Sequence, residues 1–327
     1  FSIVGQATAS NFQVRIKKDR DWFAASGKLE VNDELALDLM RLLELLDGSP
    51  SRFVELENGK FLALTEQLRR QLDDLSAFGE RTKNSLRFAP IRAAAMEELG
   101  EAISVKSDTH WKKHLDRMHT AGSLEPVLPS TLQADLRDYQ LDGYQWMSRL
   151  AHWGVGGCLA DDMGLGKTMQ GLAVLLDRAS DGPALVVAPM SVTFNWVAEG
   201  QRFAPTLNMH QFGNSDREAI LKDLGPRDVV ITSYGLLHSE AERFQNVEWS
   251  TVILDEAQAI KNTATKRSQA AMALNARFRV IMTGTPLENH IGELWNLFNF
   301  INPGLLGSWD RFRERFAVPI EQNNDRD

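Results

Sequence analysis

Apolar positions along the chain change texture near residue 130. Before it they come in short blocks. Leu35, Leu39, Leu42 and Leu46 recur at helical spacing and stop at Gly48, which predicts a helix. Arg52–Glu57 and Lys60–Leu64 flank Asn58-Gly59, a dipeptide suited to a two-residue hairpin turn. Thr65 opens a further helix with Leu68, Leu72 and Leu75 on one face and Gly79 at its end. Ser107–His119 predicts another, with Trp111, Leu115 and Met118 together. His110 and His114 stand four apart, a spacing that suits a metal on a helix. No third ligand lies near, so a solvated polar face is the expectation there. Gly122–Thr131, with two prolines and two serines, reads as a linker.

From Leu132 onward apolar strands alternate with helices. Gly157–Ala160, Ala184–Ala188, Val229–Thr232, Thr251–Leu254 and Arg279–Met282 are short β-branched or aliphatic runs. They lie among helical stretches such as Lys167–Arg178 and Lys266–Ala276. Buried runs separated by helices predict an α/β fold: a parallel sheet with helices on both faces. Ligands of such sheets bind beyond the C-terminal ends of the strands. The expected boundaries are an α+β domain over 1–125, an α/β lobe over 126–320 and a frayed polar tail over 321–327. Trp196, Trp295 and Trp309 are expected in packing rather than as base-stacking platforms.

A chain of 327 residues suits two domains, and 43% apolar with 24% charged residues is a globular composition. No run of about eighteen apolar residues predicts a membrane span. No basic segment followed by an apolar core predicts a secretory signal. The chain opens on Phe1 rather than Met, so preceding residues could have been removed. The single cysteine, Cys158, excludes an intramolecular disulfide and a zinc site of several thiolates, and is expected to be a small buried hydrophobe. The net charge of −8 lowers the expectation of a tight grip on nucleic acid. It leaves room for a local basic or amide-lined track.

The chemistry lies in two segments. Asp161-Asp162-Met163-Gly164-Leu165-Gly166-Lys167-Thr168 follows an apolar strand and opens a helix, the context of a phosphate-binding loop. Gly164 and Gly166 permit the tight turn, so that loop amides and the positive helix end can face phosphate oxygens. Lys167 would reach the β- and γ-phosphates and the Thr168 hydroxyl would hold Mg²⁺. Asp161 stands where the generic motif has glycine. The second segment, Val252-Ile253-Leu254-Asp255-Glu256-Ala257-Gln258, delivers two acids at the end of an apolar strand. Asp255 would hold Mg²⁺, and Glu256 would act as general base on the attacking water.

With Met282-Thr283-Gly284-Thr285-Pro286 one strand later, this set resembles superfamily-two helicases, and more narrowly the Swi/Snf group. Leu136-Arg137-Asp138-Tyr139-Gln140-Leu141-Asp142-Gly143 is similar to the group's segment before the loop, whose glutamine touches adenine. An acidic residue at the position of Asp161 is usual in the group. Ala188-Pro189-Met190-Ser191 with Asn195-Trp196 and Glu199, Ile231-Thr232-Ser233-Tyr234, and Glu256 through Asn262 resemble its first-lobe segments. Pro286-Leu287-Glu288-Asn289 and Glu293-Leu294-Trp295 complete the match, which runs from about Leu136 to Val318.

The resemblance implies a RecA-like lobe that binds ATP and Mg²⁺ through Gln140, Asp162, Met163, Gly164, Leu165, Gly166, Lys167, Thr168 and Asp255. It implies coupling through Gln258, Thr283, Gly284 and Thr285. Contacts to double-stranded DNA phosphates would come from Ser191, Asn195, Thr232, Lys261 and Asn262. The implied partners are duplex DNA, a DNA-bound protein and a second RecA-like lobe, which would supply an arginine and which these residues do not include. The implied place is the bacterial cytoplasm, at the nucleoid. Residues 1–125 more loosely resemble an accessory domain of bacterial members. Two other functions stay open at this point: a noncatalytic nucleotide- or partner-binding module, and the lobe of an RNA-directed helicase.

Overall fold

Much of the first hundred residues is strand. The computed structural model describes residues 2–20, 22–32, 35–47, 49, 51–56, 59–100, 103–213, 217–285 and 291–322. The chain divides into one unit of Phe1–His119 with Pro303–Ser308, and another of Thr120–Asn302 with Trp309–Asp327.

The first unit contains β1 (Ser2–Ala7), β2 (Phe12–Asp19), β3 (Trp22–Asn32), β4 (Leu35–Asp38), β5 (Phe53–Glu55), β6 (Lys60–Leu64), β7 (Glu80–Arg81), β8 (Leu86–Phe88) and β9 (Ser104–Ser107). Its helices are α1 (Leu39–Asp47), α2 (Glu66–Phe78), α3 (Ala93–Gly100) and α4 (Thr109–Ala121), the last two residues of which fall in the second unit. One sheet runs β1-β6-β5 and the other β7-β8-β3-β2-β9, with β4 on β3.

Leu35 begins a strand, not the expected helix. The Asp38 carboxylate accepts from Arg41 N at 2.9 Å and starts α1 a turn later. Gly48 lies outside the described residues. β5 and β6 pair antiparallel, as the hairpin predicts, with Gly59 at φ 69°; Asn58 lies outside the described residues. α2 begins after Thr65, whose hydroxyl accepts from Leu68 N, and ends at Gly79.

His114 corrects the expectation of a solvated face. It is buried one turn after Trp111, its ring 5.2 Å from that of Phe23 and its Nε2 2.8 Å from Pro90 O. Burial lowers its pKa.

In the second unit one sheet has the order β10-β15-β14-β11-β13-β12, all parallel. Its strands are β10 (Gly157–Leu159), β11 (Ala184–Ala188), β12 (Asn208–Gln211), β13 (Asp228–Ser233), β14 (Glu248–Asp255) and β15 (Asn275–Met282). α5 (Asp138–Trp153) precedes them; α6 (Lys167–Asp177), α7 (Met190–Phe203), α8 (Arg217–Lys222), α9 (Tyr234–Ser239), α10 (Ala241–Gln245) and α11 (Lys266–Met272) lie between them; and α12 (Ile291–Ile301), α13 (Trp309–Phe312) and α14 (Val318–Gln322) follow.

The expected helix to Ala276 ends at Met272, because Asn275 already begins β15. The edge strand β12 gives no apolar run and escapes sequence reading. Of the expected frayed tail, Glu321 and Gln322 close α14, and residues 323–327 lie outside the described ones. No helix among the described residues is long and apolar enough to cross a membrane.

Period-two alternation splits the strand side chains between two cores. Val186, Ile231, Ile253 and Val280 join Leu172, Trp196, Tyr144 and Met147 of α5, α6 and α7. Leu185, Val187, Val230, Val252, Leu254 and Ile281 join Tyr234, Leu237, Ala271, Leu297 and Phe300 of α9, α11 and α12. The sheet is therefore covered on both faces, as predicted, and the helices hold its strands in one register. Ile253 on central strand β14 is fully buried. Ile253→Ala should cost about 2–5 kcal/mol, read as a lower urea midpoint in far-ultraviolet circular dichroism.

Candidate nucleotide-binding site

Register brings the chemical segments abreast. Leu159 at the end of β10 pairs with Met282 at the end of β15, and Met282 pairs with Asp255 at the end of β14. The loop Ala160–Gly166, the segment Thr283–Thr285 and the turn after Asp255 therefore leave three adjacent strands at one level. On the next two strands Val187 pairs with Leu254 and with Thr232, so the segments after β11 and β13 leave the same edge.

Between β10 and α6 the backbone turns through Gly164 (φ 83°) and Gly166 (φ 78°), a region that glycine enters without steric cost. Gly166 is the N-cap of α6, whose first turn carries Lys167 and Thr168. The unpaired amides and positive end of that turn form an anion-binding geometry. Lys167 is 8% exposed, and its Nζ donates to Asp161 O at 2.8 Å and Asp162 O at 3.1 Å. The ammonium is thus parked on its own loop. From α5, Gln140 Nε2 and Tyr139 Oη both donate to Leu165 O, at 3.0 and 3.1 Å. Met163 at the loop tip is 73% exposed.

Asp255 is buried. Its Oδ2 accepts from Trp196 Nε1 at 2.8 Å and its Oδ1 from Glu256 N at 3.0 Å. Burial pushes the carboxyl above the usual carboxylate range; the Trp196 bond opposes this and the Glu256 charge adds to it. Glu199 is raised in the same direction, by burial and then by Asp255. A carboxylate and a hydroxyl are the hard oxygen donors that Mg²⁺ takes, so the chemistry of Asp255 and Thr168 fits that ion.

Glu256 sits at φ 48°, a left-handed turn that costs a non-glycine residue of order 1–3 kcal/mol. Its Oε2 accepts from Gln258 Nε2 at 2.8 Å, Gln258 Oε1 accepts from Thr283 Oγ1 at 3.1 Å, and Thr283 Oγ1 accepts from Thr285 N at 3.1 Å. Four residues from two strand ends share one hydrogen-bonded line. Gly284 lies against the phosphate-binding loop, where an added Cβ would meet Met163 Cγ at 3.0 Å.

The residues expected to face nucleic acid divide. Ser191 and Asn195 are exposed on the first turns of α7, and Asn262 is exposed after the Asp255 turn. Thr232 is fully buried: alternation puts it on the same face as Val230, and its hydroxyl has no hydrogen-bond partner among the described residues. Lys261 is 8% exposed, its Nζ 3.2 Å from a Glu293 carboxylate oxygen. Both are buried, unlike the other three. Pro286-Leu287-Glu288-Asn289 lies outside the described residues.

Three further groups, which lie in the motif segments but were given no role there, join the site. Trp196 is core, as expected, yet its indole nitrogen also holds Asp255; a buried tryptophan N–H needs some acceptor, and that was the available signal. Tyr234 Oη donates to Asp255 O at 2.8 Å. Tyr139 shares Leu165 O with Gln140. Trp295 and Trp309 pack on each other edge to face. Cys158 is half-buried in β10, its thiol pushed up to about 11 by burial.

Residues 139–327 match the SNF2-related domain, more than half of the chain. The chain belongs to the SNF2-related family. A Bacillus subtilis protein, YwqA, named as an ATP-dependent helicase/translocase, is 43% identical over 206 residues, covering 61% of this chain and 22% of that protein. The chromatin-remodeling ATPase INO80 of Schizosaccharomyces pombe is 40% identical over 62% of this chain and 14% of its own length. The SWI2/SNF2 ATPase core of Sulfolobus solfataricus, solved in complex with double-stranded DNA, superposes with a TM-score of 0.57 at 41% identity. That match covers 62% of this chain and 43% of the solved one. The chain thus spans under a quarter of these curated relatives and under half of the solved SNF2 core. The match agrees with the RecA-like fold expected of this sheet.

Removing the indole N–H leaves the buried Asp255 carboxylate one donor short. Trp196→Phe should cost the nucleotide-free chain at least ~1–3 kcal/mol in thermal unfolding. An unchanged midpoint would count against the Trp196–Asp255 bond.

Proposed function

We propose that the chain is the ATP-binding lobe of an SNF2-type translocase that duplex DNA stimulates and that remodels protein–DNA complexes. The observation that supports this most directly is the common level at which β10, β15 and β14 release their C-terminal segments. It gathers Lys167, Thr168, Asp255 and Glu256 at the edge where such sheets bind ligands.

In this reading Lys167 leaves the carbonyls of Asp161 and Asp162 for the β- and γ-phosphates, while the amides from Asp162 to Thr168 cradle them. Thr168 and Asp255 hold Mg²⁺, which when bound neutralises phosphate charge. Glu256 accepts a proton from the attacking water. Gln140 exchanges its bond to the loop for adenine. Gln258 joins the Glu256 carboxylate to Thr283, Gly284 and Thr285, so the state of the nucleotide is felt along the strand-end segments.

The exposed Ser191, Asn195 and Asn262 offer neutral donors to backbone phosphates, as suits a motor that must not read sequence. The solved Sulfolobus relative carries double-stranded DNA, which favours duplex over RNA. A second RecA-like lobe supplies an arginine, a contribution of ~10³–10⁵ in rate. These 327 residues alone therefore bind ATP and hydrolyse it slowly. The protein works in the cytoplasm, on nucleoid DNA.

The deciding measurement is ATPase rate with duplex DNA, single-stranded DNA and RNA, for the 327 residues and with a second lobe joined to them. Duplex stimulation of the joined form is expected; stimulation by RNA alone would replace the DNA reading. Lys167→Ala should abolish ATP binding. Glu256→Gln should keep binding and lower turnover by ~10²-fold or more. Normal hydrolysis by Glu256→Gln would remove the general-base role.

A further inference from the structure

Gln170 lies one turn into α6 from Lys167 and is fully buried. Its Nε2 donates to Asp161 Oδ2 at 2.8 Å, while its Oε1 has no hydrogen-bond partner among the described residues. The Oε1 fills the notch left by Gly143 on α5, where an added Cβ would collide with it. Asp161 is therefore held at two points: its carboxylate by Gln170, and its carbonyl by the Lys167 ammonium. Three residues earlier on α5, Gln140 holds the far side of the same loop at Leu165 O. The loop between these anchors has Gly164 at positive φ and an exposed tip, and Gly166, also at positive φ, follows the second anchor. Left to itself, such a segment must be ordered when a ligand arrives, and that ordering subtracts from affinity.

We propose that Asp161 and Gln170 form a positioning brace for the phosphate-binding loop, and that an acid occupies the glycine position for this purpose. The inference rests on the ATP-site reading and deepens it. When phosphate draws Lys167 away, the carboxylate–amide bond keeps the start of the loop in place. The brace touches neither phosphate nor water; it acts by holding the loop shape that Lys167 and the amides need. A buried amide with one unsatisfied oxygen is a poor choice for core filling, since a leucine of similar size would bury no unsatisfied oxygen there. The partner it holds accounts for an amide at this point.

The test is titration of the 327-residue chain with a fluorescent ATP derivative in Mg²⁺, alongside thermal unfolding. Gln170→Leu should melt no lower than wild type, having lost an unsatisfied buried group, yet bind about tenfold more weakly. Asp161→Ala should weaken binding similarly, Asp161→Asn should bind more tightly than Asp161→Ala because it keeps an acceptor, and Asp161→Ala with Gln170→Leu should be no worse than either alone. If wild type binds and Gln170→Leu or Asp161→Ala binds equally well, or if their losses add, the brace is refuted and the ATP site stands. If wild type itself does not bind, the ATP-site reading fails and the brace with it.

Discussion

Parallel pairing in a fixed register is the constraint on which the rest of the second unit depends. Leu159, Met282 and Asp255 stand in one row across three strands, and each is the last strand residue before a functional turn. Because side chains alternate, a slip of one residue in β14 would carry Asp255 from the core of α6 and α7 to that of α9 and α11. It would lose the Trp196 bond and the neighbourhood of Lys167 together. Two apolar faces, each packed by helices, make that slip expensive, so the precision of the polar edge derives from the apolar interior.

At that edge the polar groups are satisfied by one another. Lys167 rests on loop carbonyls, Gln140 on Leu165 O, Asp255 on Trp196 and a backbone amide, and Glu256 on Gln258. The raised pKa values of Asp255 and Glu199 mark charge that burial disfavours and that a cation would relieve. In the proposed reading the bonds of Lys167 and Gln140 to the loop carbonyls are the ones that a nucleotide replaces, without moving a strand. The line from Glu256 through Gln258 to Thr285 joins this edge to the neighbouring strand-end segment.

The proposed duplex partner is a polyanion, and the chain carries a net charge of −8. The exposed donors there are neutral, Ser191, Asn195 and Asn262, and the one lysine among the expected contacts is paired with Glu293. If these residues contact a nucleic-acid backbone as proposed, the contact carries little counterion release and depends on the number of donors aligned rather than on charge.

Local pattern alone makes the fold class and the nucleotide loop legible in the sequence. Strand runs, a Gly-Leu-Gly-Lys-Thr turn and an Asp-Glu pair after a strand are each contained in a few contiguous residues, whose physics does not need distant partners. What needed the tertiary structure was every property set by a neighbour far along the chain. Leu35 keeps helical spacing yet pairs as a strand with β3, and β12 has no apolar run but completes a sheet edge. His114 is buried by Phe23 and Trp111, Thr232 by the face on which β13 lays it, and Lys261 is paired by Glu293. Asp161 shows the division most plainly. Sequence marks it as an unusual residue at a glycine position, and resemblance assigns it to a family. Only the turn of the loop back onto α6 brings Gln170, nine residues on, to its carboxylate, because a hydrogen bond is fixed by position in space, which spacing along a loop does not specify.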